Sequence, residues 1–239
     1  MKKNLLSVIL LWSLACGDVF AQQKTVLAIP KNRYGLPIIT SVELYRQHVA
    51  QNPSHELVEL KPYIPGLVLD IKYATADNLV GEPVYTTATA YARQPVADAL
   101  KQVQAELKPM GLGLKIFDGY RPYQVTVLFF RKVKEKDFVA NPRDGSRHNR
   151  GCAIDLTLVR LKDGKELEMP TAYDATVPQA HSEYPNVSAE AKKNRELLKQ
   201  VMHRHGFTVF KIEWWHYDFN AWRNFPLMDI PFEKLQTTK

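Results

Sequence analysis

The sequence is poor in cysteine and has no apolar run long enough to span a bilayer. It contains two cysteines among 239 residues. One of them, Cys16, lies in an N-terminal segment that we expect to be removed, which leaves Cys152 alone and excludes an intramolecular disulfide. The apolar run at residues 5–15 is shorter than the roughly 20 residues that a transmembrane helix needs. We therefore expect no transmembrane helix in the mature chain.

Clusters of basic charge are also missing. Lysine and arginine outnumber aspartate and glutamate by 32 to 25, which gives a formal net charge of +7, but the basic residues are scattered and form no basic arm. A basic protein can bind nucleic acid, yet net charge is the one observation here that favours that class. We expect no nucleic-acid partner, because an exported basic protein would instead meet an anionic cell envelope.

The N-terminus has the pattern of a secretory signal peptide. Lys2 and Lys3 precede the apolar run at residues 5–15, and Val19 and Ala21 occupy positions −3 and −1 of a cleavage site. We expect cleavage after Ala21, with residues 1–21 as the signal peptide. The protein is then exported, and we expect it in the periplasm.

Lipoprotein processing is the alternative route. Cys16 follows the tripeptide Ser13-Leu14-Ala15, although the usual lipoprotein signal has leucine where Ser13 stands. A lipid attached to Cys16 would anchor the protein to a membrane. Both routes take the protein out of the cytoplasm.

The order of helical and strand patterns favours an α+β fold. Apolar residues at spacings of three and four predict a helix over residues 96–107, and Ser188 is placed to cap a second helix that ends at Gly206. Helices and strands do not alternate regularly, so we expect a mostly antiparallel central sheet flanked by helices. The strands are predicted at residues 57–60, 67–73, 112–117, 152–159, 207–210 and 214–219.

The mature chain is expected to have two parts. Residues 22–54 would form an N-terminal extension, in which Ser41 caps a short helix. Residues 55–239 would form a single domain, a length that can bury its own core.

A histidine and an aspartate in one short stretch suggest a metal site. On the predicted strand, Asp155 faces the opposite side from Cys152, because side chains alternate. A carboxylate among apolar strand residues is costly unless it is paired or binds a cation. His148 precedes the strand, and Gly151 would let the backbone bend so that both side chains converge. Cys152 points away, which argues against a role as ligand or nucleophile.

A second cluster near the C-terminus supplies further candidates. Glu213 and His216 are too far apart on a regular strand to approach one ion, but a turn or bulge would bring them together. His148, Asp155 and His216 would then form a zinc site with two imidazoles, one carboxylate and an open position for water. Glu213 would be the base that takes the proton of that water.

Each of these residues taken alone has a structural interpretation. A lone histidine is usually a hydrogen-bonded polar group, and a lone aspartate in a loop usually belongs to a turn. We keep the structural interpretation for the other histidines, two of which end the helix capped by Ser188, where basic residues suit the helix dipole. They are His48, His55, His181, His203 and His205.

Taken together, the motifs match a known pattern. S-x-H-x-x-G-x-A-x-D at residues 146–155 and E-x-W-H at residues 213–216 resemble the zinc D,D-peptidases related to the N-terminal domain of hedgehog. Within that group the chain is most similar to the D-alanyl-D-alanine dipeptidases, the VanX-like enzymes. The resemblance runs from about residue 56 to 219 and implies their fold. Its supporting stretches are residues 72–78, 118–122, 153–158 and 213–217.

The resemblance implies the chemistry of the site. His148, Asp155 and His216 would hold one zinc ion per chain, and Glu213 would be the catalytic base. Arg121 matches the family arginine that steadies the oxyanion of the tetrahedral intermediate. The expected substrate is D-alanyl-D-alanine or a similar small D,D-dipeptide.

The resemblance also implies substrate contacts. Tyr73 and Asp174 match positions that help to receive the free ammonium of the substrate, and Ser146 matches a serine near its carboxylate end. Three features depart from the family pattern: Arg147 replaces a small residue, Cys152 stands where serine is familiar, and the 27 residues from Arg121 to His148 look shorter than in the resistance enzymes, as if a loop over the site were trimmed. These departures leave the metal ligands intact and bear on the size of the substrate.

Two other functions stay open at this point. A D,D-carboxypeptidase or endopeptidase that trims peptidoglycan stem peptides would share the metal site. A zinc-binding interaction domain without activity, as in the hedgehog relatives, would not need Glu213 and Arg121 merely to hold zinc.

Overall fold

A central β-sheet organises the structure, a computed structural model that describes residues 27–236. Within these residues the strands are β1 (Ile38–Ile39), β2 (Leu57–Glu59), β3 (Val68–Leu69), β4 (Tyr91–Arg93), β5 (Leu112–Asp118), β6 (Ala153–Arg160), β7 (Phe207–Phe210), β8 (Glu213–Phe219) and β9 (Leu227–Met228). The α-helices are α1 (Val42–Gln51), α2 (Leu60–Tyr63), α3 (Gln94–Leu107), α4 (Tyr123–Lys132), α5 (Ala189–Arg204) and α6 (Phe232–Gln236). No helix of this part of the chain is both long and apolar enough to cross a membrane.

The central sheet has the strand order β3-β5-β6-β8-β7. Strands β3 and β5 run parallel, whereas the β5–β6, β6–β8 and β8–β7 pairs are antiparallel. Two-stranded sheets form from β2 with β4 and from β1 with β9. The expectation of an α+β fold with a mostly antiparallel central sheet is therefore confirmed.

Helices α3 and α5 cover one face of this sheet. They contact each other, α3 packs on β5, and α5 packs on β6 and β7. Leu100, Val103 and Leu198 have no exposed surface and belong to the main apolar core, and full burial of such a side chain contributes about 1.5–3 kcal/mol. Helix α5 begins where the Ser188 hydroxyl accepts the Ala191 N–H at 3.0 Å, as its sequence predicts.

Strand β6 separates this core from the opposite face of the sheet. Ile154 and Leu156 belong to the main core on the helix side. Because side chains alternate along a strand, Ala153, Asp155 and Thr157 face the other side. All five residues are buried, so the polar ones need partners on the face that α3 and α5 leave free.

The predicted strand at residues 67–73 is much shorter in the structure. Only Val68–Leu69 pairs with β5, and Lys72–Ala74 forms a turn of 3-10 helix. The backbone N–H groups of Val84 and Tyr85 both donate to the Tyr73 carbonyl. The chain therefore leaves the sheet before Tyr73, whose ring is buried.

A strand pair and a capped helix are among the features that join the segment before residue 55 to the rest of the protein. Strand β1 pairs in parallel with β9 near the C-terminus. Helix α1 is capped by Ser41, as predicted, and its buried Tyr45 hydroxyl accepts the backbone N–H of Leu57 at 2.7 Å. The division at residue 55 stays a prediction. The proposed signal peptide and Cys16 lie outside the described residues.

Two glycines with the same backbone geometry test how tightly the turn before β6 is packed. Gly151 and Gly164 have φ values of +69° and +68°. A Cβ on Gly151 would lie 2.8 Å from Leu57 Cδ2 and 3.3 Å from the backbone nitrogen of Arg93. A Cβ on Gly164 would have no atom within 4 Å. Gly164→Ala is expected to lower the free energy of unfolding by about 1–2 kcal/mol, because alanine is strained in the left-handed conformation. Gly151→Ala is expected to lower it by a further amount of about 1–3 kcal/mol, because the added Cβ overpacks the turn. Urea unfolding of the metal-free variants measures both, and equal losses would contradict the packing of this turn.

Candidate metal centre

Three strands bring polar side chains into one row across the sheet. Asp155 at the centre of β6 is directly paired with His216 on β8 and, after a register shift, with Asp118 on β5. Directly paired residues of antiparallel strands point to the same face at about 4.5–5.5 Å between Cβ atoms. This row therefore places two carboxylates and one imidazole side by side on the face opposite the core.

A short turn brings a second imidazole to the same place. His148 begins a 3-10 turn, His148–Arg150, that ends at the left-handed Gly151. The His148 Nδ1 lies 2.8 Å from the carbonyl oxygen of Gly119, which fixes Nδ1–H as the donor and leaves Nε2 without a proton. A Cβ on Gly119 would lie 2.6 Å from the Tyr91 carbonyl oxygen, so glycine is required for this close approach of backbones.

Three potential ligand atoms converge on one point. His148 Nε2 lies 3.2 Å from His216 Nδ1 and 3.4 Å from Asp155 Oδ1, and His216 Nδ1 lies 3.1 Å from Asp155 Oδ1. Ligands about 2.0–2.2 Å from a tetrahedral ion lie roughly 3.3–3.6 Å apart, which is close to this spacing. Asp155 Oδ1 is buried without a hydrogen-bond partner. The donor set therefore fits a divalent metal, and among the described residues these three side chains form a group that could hold a metal ion.

The polar atoms of Asp155 and His216 that point away from this common point have hydrogen-bond partners of their own. His216 Nε2 lies 3.0 Å from Asp218 Oδ1, so the carboxylate accepts its N–H. The Tyr173 hydroxyl donates to Asp155 Oδ2 at 3.0 Å. Such outer contacts orient metal ligands and make an imidazole more basic.

Electrostatics of the metal-free protein lead to the same conclusion. Burial would raise the pKa of Asp155, but the adjacent His148 and His216 hold it well below its ordinary value. Burial lowers the pKa of His216, but Asp155 and Asp218 raise it well above the usual range. In the metal-free protein, a proton on His216 therefore supplies part of the positive charge that a metal ion would supply. Metal binding releases this proton.

The predicted bulge brings a further carboxylate to the site. Val209 pairs with Tyr217, but the next residue, Phe210, pairs with Glu213, so the register shifts within β8. Glu213 Oε2 consequently lies 3.5 Å from His216 Nδ1. Burial raises the pKa of Glu213 to about 7, and the charge of Asp155 adds to this effect. A carboxylate with such a pKa can both take and return a proton near neutral pH.

Arg121 lies behind the ligands with its charge compensated. Its Nε and Nη2 donate to Asp118 Oδ2 at 3.0 and 2.7 Å, and Nη2 lies 4.0 Å from Asp155 Oδ2. The guanidinium also lies 4.8 Å from the ring centre of Phe129 and 5.2 Å from that of Tyr73. The cation separates the two carboxylates of the row and offsets their repulsion.

Asp174 adds a further carboxylate to the site. It has a φ of +61°, unusual for a residue other than glycine, and its Oδ2 accepts the Tyr73 hydroxyl at 2.8 Å. Desolvation raises the pKa of Asp174 well above its ordinary value, Asp155 raises it further, and Arg121 opposes this rise only in part. A half-buried acid without an ion-pair partner is a favourable place for an ammonium group.

The predicted site residues share one cavity of about 250 Å³. Ser146 lies at its wall, where its hydroxyl oxygen accepts the His148 N–H at 3.1 Å and keeps its own proton to donate. Segment 137–140 also lines this cavity. The predicted residues along its wall are Tyr73, Arg121, Ser146, His148, Asp155, Asp174, Glu213 and His216.

Residues predicted to be structural lie elsewhere. Cys152 is buried, and burial raises the pKa of its thiol to about 12, so no thiolate forms at neutral pH. His48 and His55 stack on each other with ring centres 5.9 Å apart. His205 Nε2 lies 2.7 Å from Glu106 Oε2. His181 and His203 do not line the cavity either.

Several functional contacts were missed by sequence reasoning. Asp118 was identified only as part of the matching stretch 118–122, although it holds Arg121. Asp218 has a detectable signal, because it lies two residues beyond His216 on the same strand and therefore on the same face. The Gly119 carbonyl and the Tyr173 hydroxyl carry no such signal, since their partners are far away in sequence.

Comparisons with known proteins agree with this geometry. The model of the Peptidase_M15 family, described as D-ala-D-ala dipeptidase, matches residues 53–224. A D-alanyl-D-alanine dipeptidase of Escherichia coli (strain K12) is 35% identical over 177 residues, which cover 74% of this chain and 91% of the relative. Proteins of the same name from Enterococcus faecalis (strain ATCC 700802 / V583) and Enterococcus faecium are 32% and 30% identical, each covering 66% of this chain and 88% of the relative.

The contact between His216 and Asp218 can be tested through metal affinity. Asp218→Ala removes the acceptor of the His216 N–H and is expected to weaken metal binding about 10- to 100-fold. Asp163→Ala is the matched control, because this carboxylate pairs with Arg160 in an exposed turn. Titration against a chelating zinc indicator measures the affinity. Equal affinities of the two variants would exclude a supporting role for Asp218.

Proposed function

This chain belongs to the Peptidase_M15 family of D-ala-D-ala dipeptidases, and we propose that it hydrolyses D-alanyl-D-alanine with one zinc ion bound by His148, Asp155 and His216. One observation carries the proposal: three potential ligand atoms lie 3.1–3.4 Å apart beside a separate carboxylate, Glu213, whose side chain is 13% exposed. This arrangement suits a peptidase that needs a metal and a base.

The zinc ion, when bound, would polarise the scissile carbonyl and lower the pKa of a water molecule. Two imidazoles and one carboxylate are a donor set that zinc accepts, with a fourth position open. The unpartnered Asp155 Oδ1 supports this assignment. The hydrogen bonds to Gly119 and Asp218 would hold both imidazoles in the orientation that ligation needs.

Glu213 would act as the base. Its carboxylate lies 3.5 Å from a ligand atom of His216, close enough to accept a proton from a water beside the ligands. It would then pass this proton to the leaving amine. Its side chain is only 13% exposed, which limits the competition of bulk water for the proton.

Arg121 would stabilise the negative charge that develops on the carbonyl oxygen. Asp118 holds the guanidinium by two hydrogen bonds, so the cation is oriented before the substrate binds. Arg121 lines the cavity, so its guanidinium would reach the substrate there. A lysine would lack the planar fork that Asp118 orients.

Asp174 and Tyr73 would receive the free ammonium of the dipeptide. The half-buried Asp174 carboxylate gains a counter-charge when an ammonium group binds, which offsets its desolvation. Ser146 would lie near the other end of the substrate and donate its hydroxyl proton. The small cavity, about 250 Å³, supports a dipeptide in preference to a longer stem peptide.

We also propose that the enzyme works outside the cytoplasm, in the metabolism of cell-wall precursors or peptidoglycan fragments. The signal-peptide pattern at residues 1–21 supports export to the periplasm. A lipid anchor at Cys16 is the alternative, and mass spectrometry of the mature N-terminus distinguishes the two routes.

Hydrolysis of three peptides tests the proposed activity. The zinc-loaded protein is expected to release D-alanine from D-alanyl-D-alanine, with kcat/KM at least about 100-fold higher than for N-acetyl-D-alanyl-D-alanine, since the acetyl group removes the ammonium that Asp174 would bind. A muramyl pentapeptide, the substrate of a D,D-carboxypeptidase, is expected to react as slowly. Released D-alanine is measured by an oxidase-coupled assay. Faster hydrolysis of the pentapeptide would contradict the dipeptidase assignment and identify the protein as a D,D-carboxypeptidase.

A further inference from the structure

The wall of the metal cavity contains two cationic side chains among the described residues, Arg121 and Arg147. Arg121 is buried and donates twice to Asp118. Arg147 differs, because its side chain is 42% exposed and lies 3.6 Å from Asp218 Oδ2 through Nε. This separation is too long for a hydrogen bond, and Nε is buried without a hydrogen-bond partner. The charge of Arg147 is thus only partly compensated.

A tryptophan holds the Arg147 guanidinium at the rim of the cavity. The guanidinium carbon lies 5.0 Å from the ring centre of Trp222, within the range of a cation–π contact. Arg150 and Arg223 lie 5.2 and 4.3 Å from the same ring centre. Arg150 is fixed by a hydrogen bond to the Phe225 carbonyl. Three cations around one ring create a positive region beside the cavity.

The wall of the same cavity also carries an acid. Asp174 is half-buried and hydrogen-bonded to Tyr73, no ion pair is formed with it among the described residues, and the charge of Arg121 offsets its own only in part. The cavity wall therefore carries both an acid and an exposed guanidinium. A zwitterionic dipeptide has the same charge separation, with its ammonium at one end and its carboxylate at the other.

We propose that Arg147 is a specificity residue that binds the C-terminal carboxylate of the dipeptide substrate. Its terminal nitrogens, Nη1 and Nη2, donate to no described residue, so both are available for a carboxylate. Trp222 and Asp218 restrict the guanidinium to the rim, and Ser146, the preceding residue, donates to the same end of the substrate. This inference rests on the proposed dipeptidase activity and adds the requirement for a free carboxylate.

A purely structural role for Arg147 makes a different prediction. Asp218 accepts the His216 N–H, so Arg147 could act through Asp218 on a metal ligand. Its loss would then reduce zinc affinity and slow every substrate equally. A carboxylate-binding role affects only substrates that carry the carboxylate.

Two substrates that differ in one group separate these roles. D-alanyl-D-alanine and D-alanyl-D-alaninamide share the scissile bond, but the amide lacks the carboxylate. For Arg147→Gln we expect kcat/KM on D-alanyl-D-alanine to fall about 10- to 100-fold, mainly through KM, with the amide changed less than about twofold. Arg147→Lys should recover part of the loss, because it keeps the charge. Arg223→Gln, which removes another charge that contacts Trp222 but does not line the cavity, is the control and should leave both substrates unchanged.

Zinc content of each variant, measured with the kinetics, completes the test. Zinc bound to Arg147→Gln at the wild-type ratio and selective loss on the dipeptide support the proposal. Equal losses on both substrates, or loss of zinc, would assign Arg147 a structural role and overturn it. An unchanged KM for the dipeptide would overturn it as well. If the wild-type protein hydrolyses neither substrate, the proposed dipeptidase activity fails first, and the inference fails with it.

Discussion

The buried carboxylate of Asp155 is the constraint on which the rest of the site depends. It lies in the middle of the central sheet with a side chain only 4% exposed, where an unpaired charge would cost several kcal/mol. One oxygen accepts the Tyr173 hydroxyl, and the other faces two imidazole nitrogens. Since both imidazoles donate their remaining N–H groups elsewhere, a bound cation is the partner that satisfies all three groups at once.

The same row of the sheet keeps the other charges in place. Asp118 would repel Asp155 across β5 and β6, but Arg121 lies between them and pairs with both. The bulge in β8 brings Glu213 beside His216 without adding it to the ligand set. The fold thereby separates the group that would move a proton from the groups that would hold the metal.

Local patterns in the sequence were sufficient to predict how the main side chains of the site are positioned. The alternation in β6 placed Asp155 opposite Cys152, and the spacing of Glu213 and His216 required the bulge that β8 contains. The contacts of Asp118, Gly119 and Tyr173 could not be predicted, because they join segments far apart in sequence. For the same reason β3 was predicted too long: apolar residues alternate with charged ones up to Tyr73, as in a strand, but tertiary hydrogen bonds turn the chain earlier. The roles of the site residues stay predictions.

The separation of ligand and base is the central claim, and Glu213→Gln tests it most directly. Zinc content and turnover of D-alanyl-D-alanine are measured in one preparation of this variant, with Glu183→Gln, an exposed glutamate paired with Lys199, as the control. We expect Glu213→Gln to bind one zinc ion per chain as the wild type does and to lose at least about 100-fold in kcat, because the amide cannot accept the proton. Loss of zinc together with activity would make Glu213 a ligand, and retained turnover would remove it from the mechanism.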